Sequence, residues 1–262
     1  MDILLIGKFV NPAVLGFYQK GRSLGQIPAN QIGVILTRSY FPILSRLQHD
    51  LEDFRKYYLS QSTRIFLITF PLFTAISLLS ENIIVFLYGA KWLPSAPFLA
   101  LTGIVGLLYC NNAFKVYACN ALGRSYVTLR INAVMSPIRI SLYLLVAFTF
   151  QEQSPILFLS VIVLTQLIST VYMTVMIRKH VGLDTIEQYS LFYKIIAAGL
   201  ISLVLVFYLK RFININPYVD LPILMVVFVS VNVGGLLLMK ERQAIVLVRK
   251  IKSKFGKRFS HA

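Results

Sequence analysis

A stripe of polar and cationic side chains marks residues 15–46 of this chain, LGFYQKGRSLGQIPANQIGVILTRSYFPILSR. The stretch is long enough to cross a bilayer, yet it carries Lys20, Arg22 and Arg38 and no acidic residue. Helical spacing puts Gln19, Arg22, Gln26 and Asn30 on one face, with Gly33 and Thr37 continuing the line. A face of this kind on a spanning helix must meet a water-filled cavity or a partner, because hydrocarbon leaves it unsolvated. Two readings of the cations stand side by side. Lys20 and Arg22 either snorkel to a headgroup layer or line a path for an anionic substrate.

Arg139 is the second candidate. It lies about midway along the apolar run 126–150, beside Pro137, and shares a face with Asn132, Ser136 and Tyr143. An arginine at that depth needs an internal partner, which is either a cavity ligand or the carbonyls that Pro137 frees. Asn112 and Lys115, on the run 97–121, form a third candidate, unless Lys115 simply marks the boundary of its span. Gln166, Ser169 and Thr170 read as hydrogen-bonding groups between helices.

The acidic inventory is the sharpest exclusion. Between Asp53 and Asp184 the only carboxylates are Glu81 and Glu152, so a mid-membrane carboxylate relay for protons or sodium has no candidate. Polar faces with positive and no negative charge suit an anionic ligand: a phosphate, a pyrophosphate or an acidic sugar. Enzyme templates do not match. His49, His180 and His261 fall in loops or at the terminus, and neither Cys110 nor Cys119 has a histidine at ligand spacing. The two cysteines lie on different faces of one helix and do not suit a disulfide. No glycine-rich phosphate loop occurs. No metal or cofactor is expected, and the chain reads as non-enzymatic.

The elements that position these residues are membrane helices. Of the 262 residues 57% are hydrophobic and 14% charged, with a mean hydropathy of +0.72. The runs 92–114, 153–177 and 221–239 carry no charge, and each approaches the ~20 residues that cross a hydrocarbon core of about 30 Å. The fold class is therefore all-α, a polytopic transmembrane helix bundle with about seven spans. These are 15–46, interrupted at Pro28 and Pro42, then 59–80, 97–121, 126–150, 154–177, 191–212 and 221–239. Residues 45–58 read as a polar loop with an amphipathic turn, 81–89 as an interfacial or re-entrant piece, and 178–189 as a polar loop. Lys91 and Trp92 mark a membrane boundary.

The net charge of +16 reflects positive-inside topology rather than nucleic-acid binding. With 45–58 in the cytoplasm, Arg46, Arg55, Lys56, Arg64, Lys115, Arg124, Arg130, Arg178, Lys179 and Lys194 lie at cytoplasmic ends, and only Lys91, Lys210 and Arg211 lie opposite. The tail 241–262 sets Val248, Ile251, Phe255 and Phe259 against a basic face and suits an anionic membrane surface, with a cytoplasmic C-terminus.

The pieces DILLIGKF, LGFYQKG, the IP at 27–28, FPILSRLQHD, Pro71, LYGAKW and NALGR occur here in order and spacing. Together they make residues 2–92, and more loosely the chain to about 177, resemble the Wzx/WzxC-type polysaccharide flippases of the multidrug/oligosaccharidyl-lipid/polysaccharide exporter superfamily. That resemblance implies two inverted-repeat-like six-helix lobes, two extra C-terminal helices, and alternating access around a cationic cavity. On that basis 1–180 is the C-terminal lobe with a truncated first helix, 181–240 the two additional helices, and 241–262 the basic tail. A full member is about twice as long, so the N-terminal lobe is expected to be missing, and no transport is expected from this chain alone.

The implied function is flipping of undecaprenyl-pyrophosphate-linked oligosaccharide units across the bacterial inner membrane for O-antigen or exopolysaccharide synthesis. Lys20, Arg22 and Arg139 would attract pyrophosphate or acidic sugars. Gln19, Gln26 and Asn30 would bond sugar hydroxyls, with Asn112 and Lys115 also lining the cavity. Expected partners are the lipid-linked oligosaccharide, anionic lipids and the missing lobe. Two alternatives differ in what they need. A cation-coupled multidrug exporter wants membrane carboxylates, and a glycan polymerase or ligase wants a long catalytic outer loop.

Overall fold

The computed structural model describes residues 12–149, 154–183, 185–212 and 217–238. The expectations for 1–11 and for the basic tail 241–262 lie outside the described residues. No strand occurs among the described residues, as a bilayer demands of chains that satisfy their backbone within each segment. Helix α1 (Pro12–Ile35) passes through a five-residue π-turn (Leu36–Tyr40) into α2 (Phe41–Arg46). Helix α3 (Leu51–Leu78) is followed by the short α4 (Ser80–Tyr88) and a 3-10 turn (Ala90–Ser95). Then come α5 (Ala96–Ala121), α6 (Ser125–Thr149), α7 (Ser154–Val181), α8 (Thr185–Phe212) and α9 (Pro217–Leu238).

Five helical stretches are long and apolar enough to cross a membrane: Leu51–Leu78, Ala90–Ala121, Ser125–Thr149, Pro155–Val181 and Phe192–Leu209. Helix α9 contributes the shorter apolar stretch Asp220–Gly235. Helix α1 has the length but not the composition, because its polar stripe lowers its hydropathy.

The structure corrects three boundaries. Pro28 does not interrupt α1, which runs straight through it, and the irregularity falls at the π-turn ahead of Pro42 instead. Most of the polar segment 45–58 is the first two turns of α3. The Asp50 carboxylate caps that helix by accepting from the Glu52 and Asp53 amides at 3.0 Å each, and Lys56 bonds Glu52 one turn on. The expected loop 178–189 is largely helical: Arg178, Lys179 and His180 stay in the last turn of α7, where cations suit the helix dipole, and α8 opens at Thr185.

Helix α5 is the central element and packs against α1, α3 and α7. Its contact with α1 is made through small residues one turn apart, Gly21, Gly25 and Ala29, all buried. A Cβ at Gly21 would stand 2.5 Å from the Ser95 carbonyl oxygen, and one at Gly25 2.7 Å from the Thr102 methyl. In lipid, where apolar burial does not drive helices together, this close approach is what joins them. The turn from α5 to α6 is closed by Gly123 at φ +72. Its amide bonds the Asn120 carbonyl, and that of Arg124 bonds Cys119, the double bond of a Schellman ending.

At the end carrying Arg46 and Arg124 the core gathers Leu44, Phe54, Tyr58, Phe114, Met173 and Ile177, with Tyr58 stacked on Phe114 at 5.1 Å. Tyr18, Phe98, Tyr143 and Phe158 fill the opposite end between α1, α5, α6 and α7. Helices α8 and α9 pair with each other and lie on α3 and α4, with Phe192 stacked on Phe66 at 4.3 Å.

Candidate substrate-binding groove

One face of α5 repeats at helical spacing through Thr102, Val105, Tyr109, Asn112 and Val116, and two pockets open along it. The first, about 210 Å³, lies against α1 and is lined by Gln26, Asn30, Thr102 and Tyr109. The second, about 320 Å³, lies between α5, α6 and α7, with Asn112, Asn132, Arg139, Gln166 and Ser169 on its walls. Tyr109 borders both, so the two pockets are neighbours along one grooved face of α5. Tyr117 and Thr128 continue its wall toward the Arg124 end. No carboxylate lines either pocket among the described residues.

The close α1–α5 contact at Gly21 and Gly25 sets Gln26 and Asn30 beside α5. Pro137, which removes a hydrogen bond within α6, sits two residues before Arg139. The Arg139 Nε is buried and donates to no described residue, so the freed carbonyls are not its partners. Asn112 is buried in the second pocket. Its Nδ2 donates to the Gln166 carbonyl at 3.3 Å, while its Oδ1 accepts nothing among the described residues. At the other end of α6 the Tyr143 hydroxyl lies within electrostatic reach of both Arg139 and Arg22. Arg22 in turn donates to the Tyr18 hydroxyl at 3.1 Å. Arg22, from α1, and Arg139, from α6, thus both act on one tyrosine, although Arg139 lines the second pocket and Arg22 lines neither.

The remaining expected residues separate from this groove. Lys20 points to the α4 side, its Nζ 4.5 Å from the Tyr88 ring centroid and 5.3 Å from that of Trp92, a cation–π clamp at the aromatic boundary. Gln19 is exposed and lines neither pocket. Lys115 is 1% exposed, turned into the α5–α7 contact, where it donates to the Thr174 hydroxyl at 2.7 Å. His180 is no loop residue: its ring meets the Arg124 guanidinium and, at 3.2 Å, the Tyr126 hydroxyl. Cys110 and Cys119 are both buried and unbridged.

Tyr109, Tyr117 and Thr128 are groove residues that sequence reasoning passed over. Thr102, Tyr109 and Asn112 recur at the spacing of one helical face, and that repeat is the signal that could have found Tyr109, while Tyr117 lies off that line. Thr128 carried none. Thr37 also belongs here, since its hydroxyl bonds Tyr117 at 2.7 Å and thereby fastens the π-turn to the groove wall.

A bundle of apolar helices, with a polar and cationic groove among them, defines a multi-pass membrane protein. Residues 1–97 match the family described as "Polysaccharide biosynthesis protein". The chain is similar to the teichuronic acid biosynthesis protein TuaB of Bacillus subtilis, 32% identical over 41% of this chain and 22% of that protein. It is similar to the lipopolysaccharide biosynthesis protein WzxC of Escherichia coli, 27% identical over 41% of this chain and 22% of that one. A membrane protein in the cps region of Klebsiella pneumoniae is 27% identical over 40% of this chain and 21% of its own length. The resemblance to WzxC-type proteins therefore holds, over a stretch that spans about a fifth of each relative's length.

Proposed function

We propose that the groove is one wall of the translocation path of a lipid-linked oligosaccharide flippase, acting without bond chemistry. The observation that carries this reading is Arg139 of α6, a partly exposed residue whose Nε stands buried and unmatched on a groove that carries no carboxylate among the described residues. A charge held in an apolar bundle without a counter-charge is costly, and an anionic cargo relieves that cost each time it passes. The names of the relatives, which refer to teichuronic acid and lipopolysaccharide biosynthesis, support a surface-polysaccharide cargo.

In this reading Arg139 and Arg22 receive the anionic groups, and Gln26, Asn30 and Asn112 take sugar hydroxyls. The other wall comes from a second helical lobe, and rocking between the two switches access. The membrane is the bacterial inner membrane, with the Arg124 end and the C-terminus in the cytoplasm, where basic ends meet anionic lipids.

The test is leaflet exchange in proteoliposomes. A fluorescent undecaprenyl-pyrophosphate-linked oligosaccharide is presented to this chain paired with the N-terminal lobe of a WzxC-type relative. Exchange above that of protein-free vesicles, slowed about tenfold by Arg139→Gln as loss of a charge-assisted bond implies, is the expected result. Exchange no faster than in empty vesicles sinks the reading.

A further inference from the structure

The groove restricts its ligand further, on the reading that it is the substrate path. The amide orientation of Asn112 is decided by its surroundings: only the Nδ2 can donate to the Gln166 carbonyl, so Oδ1 is left on the other side as an acceptor. The side chain is 7% exposed, and Oδ1 meets no donor among the described residues. On the wall formed by α6, the Arg139 Nε is a donor without an acceptor among the described residues. Both residues line the same pocket of about 320 Å³. The two unmet groups have opposite character, and a ligand that carries both an acceptor and a donor would answer both.

A pyrophosphate at neutral pH offers acceptors, which suits Arg139 but sets lone pairs against Asn112 Oδ1. A neutral sugar offers hydroxyl donors but no charge for the guanidinium. A sugar acid carries a carboxylate and hydroxyl donors on one rigid ring, and the carboxylate takes a guanidinium in a charge-assisted bond. Tyr109 and Tyr117, on the same wall, add aromatic rings with an apolar body and a polar tip, suited to the C–H faces and hydroxyl rim of a pyranose.

We propose that the pocket between α5, α6 and α7 is a sugar-acid subsite, in which Arg139 takes the carboxylate of a hexuronate and Asn112 Oδ1 accepts from a hydroxyl of the same ring. The anionic phosphates of the cargo then sit elsewhere along the path. The pocket thereby selects for acidic repeat units over neutral ones.

The test uses the purified full chain in detergent micelles, titrated by thermophoresis with sodium glucuronate, glucuronamide, glucose and inorganic pyrophosphate. Glucuronate is expected to bind about tenfold more tightly than the other three, and Arg139→Gln and Asn112→Leu each to weaken it about tenfold. Glucuronamide tests the charge on the unaltered protein, so the outcome stands even where a variant fails to fold. Glucuronate binding no better than glucuronamide or glucose overturns the subsite. Pyrophosphate binding more tightly than glucuronate, and weakened by Arg139→Gln, overturns the subsite but leaves the groove as an anion path. No binding by any probe that depends on groove residues overturns both.

Discussion

Lys115 donates a 2.7 Å hydrogen bond to Thr174 inside the contact between α5 and α7, and that hydroxyl already donates to the Thr170 carbonyl at 2.8 Å. The lysine is 1% exposed, and this neutral oxygen is its hydrogen-bond partner among the described residues. Burying an ammonium against one neutral acceptor is unfavourable. Lys115→Met keeps the volume and leaves the Thr174 bond to Thr170 intact. It is expected to stabilise the fold by about 1–4 kcal/mol, the range for apolar replacement of buried charges. Thermal unfolding in detergent measures it, and a lowered midpoint would mean the ammonium has a stabilising partner.

The α1–α5 contact is expected to resist any side chain at its small residues. A Cβ at Gly25 meets Thr102 at 2.7 Å, so Gly25→Val should cost about 1–3 kcal/mol through overpacking. Gly16 and Gly33, with nothing within 4 Å of a Cβ, should accept alanine without loss. Unfolding in mixed detergent micelles compares the three, and equal behaviour would mean the helices do not meet as described.

Lys20 belongs to the aromatic boundary, so Lys20→Gln should cost about 0.5–2 kcal/mol of stability, the span of cation–π energies. Glucuronate affinity should not change. A tenfold loss of affinity in that variant would return Lys20 to the substrate path.

Tyr117→Phe removes the 2.7 Å bond to Thr37, worth about 1 kcal/mol, and leaves Thr37 with its bond to the Gly33 carbonyl. Faster amide hydrogen exchange confined to residues 36–40 is expected. Unchanged protection there would show that the π-turn holds without the tyrosine.

Much of the fold was legible because uncharged runs of bilayer length leave few alternatives. The spans at 97–121 and 126–150 fall within one residue of α5 and α6. Charged residues in a sequence suggest loops, but here they sit within helices or at their ends. Asp50 caps a helix instead of ending one, and Arg178 to His180 complete the last turn of α7. In the groove, residue type located Gln26, Asn30, Asn112 and Arg139, but it could not supply direction. Lys115 stands three residues after Asn112, about 60° around the helix, which is enough to move it from the groove into the α7 contact. Tyr109 and Tyr117 are hidden in the sequence because an aromatic in an apolar span has the character of core filling. The small-residue ladder Gly21, Gly25, Ala29 was visible in the sequence, but only the distances to Ser95 and Thr102 show which helix it meets.

The hairpin of α8 and α9 rests on α3 and α4 through contacts such as Phe66 on Phe192, while the groove draws its walls from residues 25–173. In water, stripping off such a hairpin would uncover an aromatic face at great cost. In a bilayer, acyl chains wet that face almost as well as Phe192 does, so what is forfeited is shape complementarity and the burial of Ser202, Asp220 and Asn232. The lipid-facing surface of the hairpin can therefore vary without touching any residue that lines the groove.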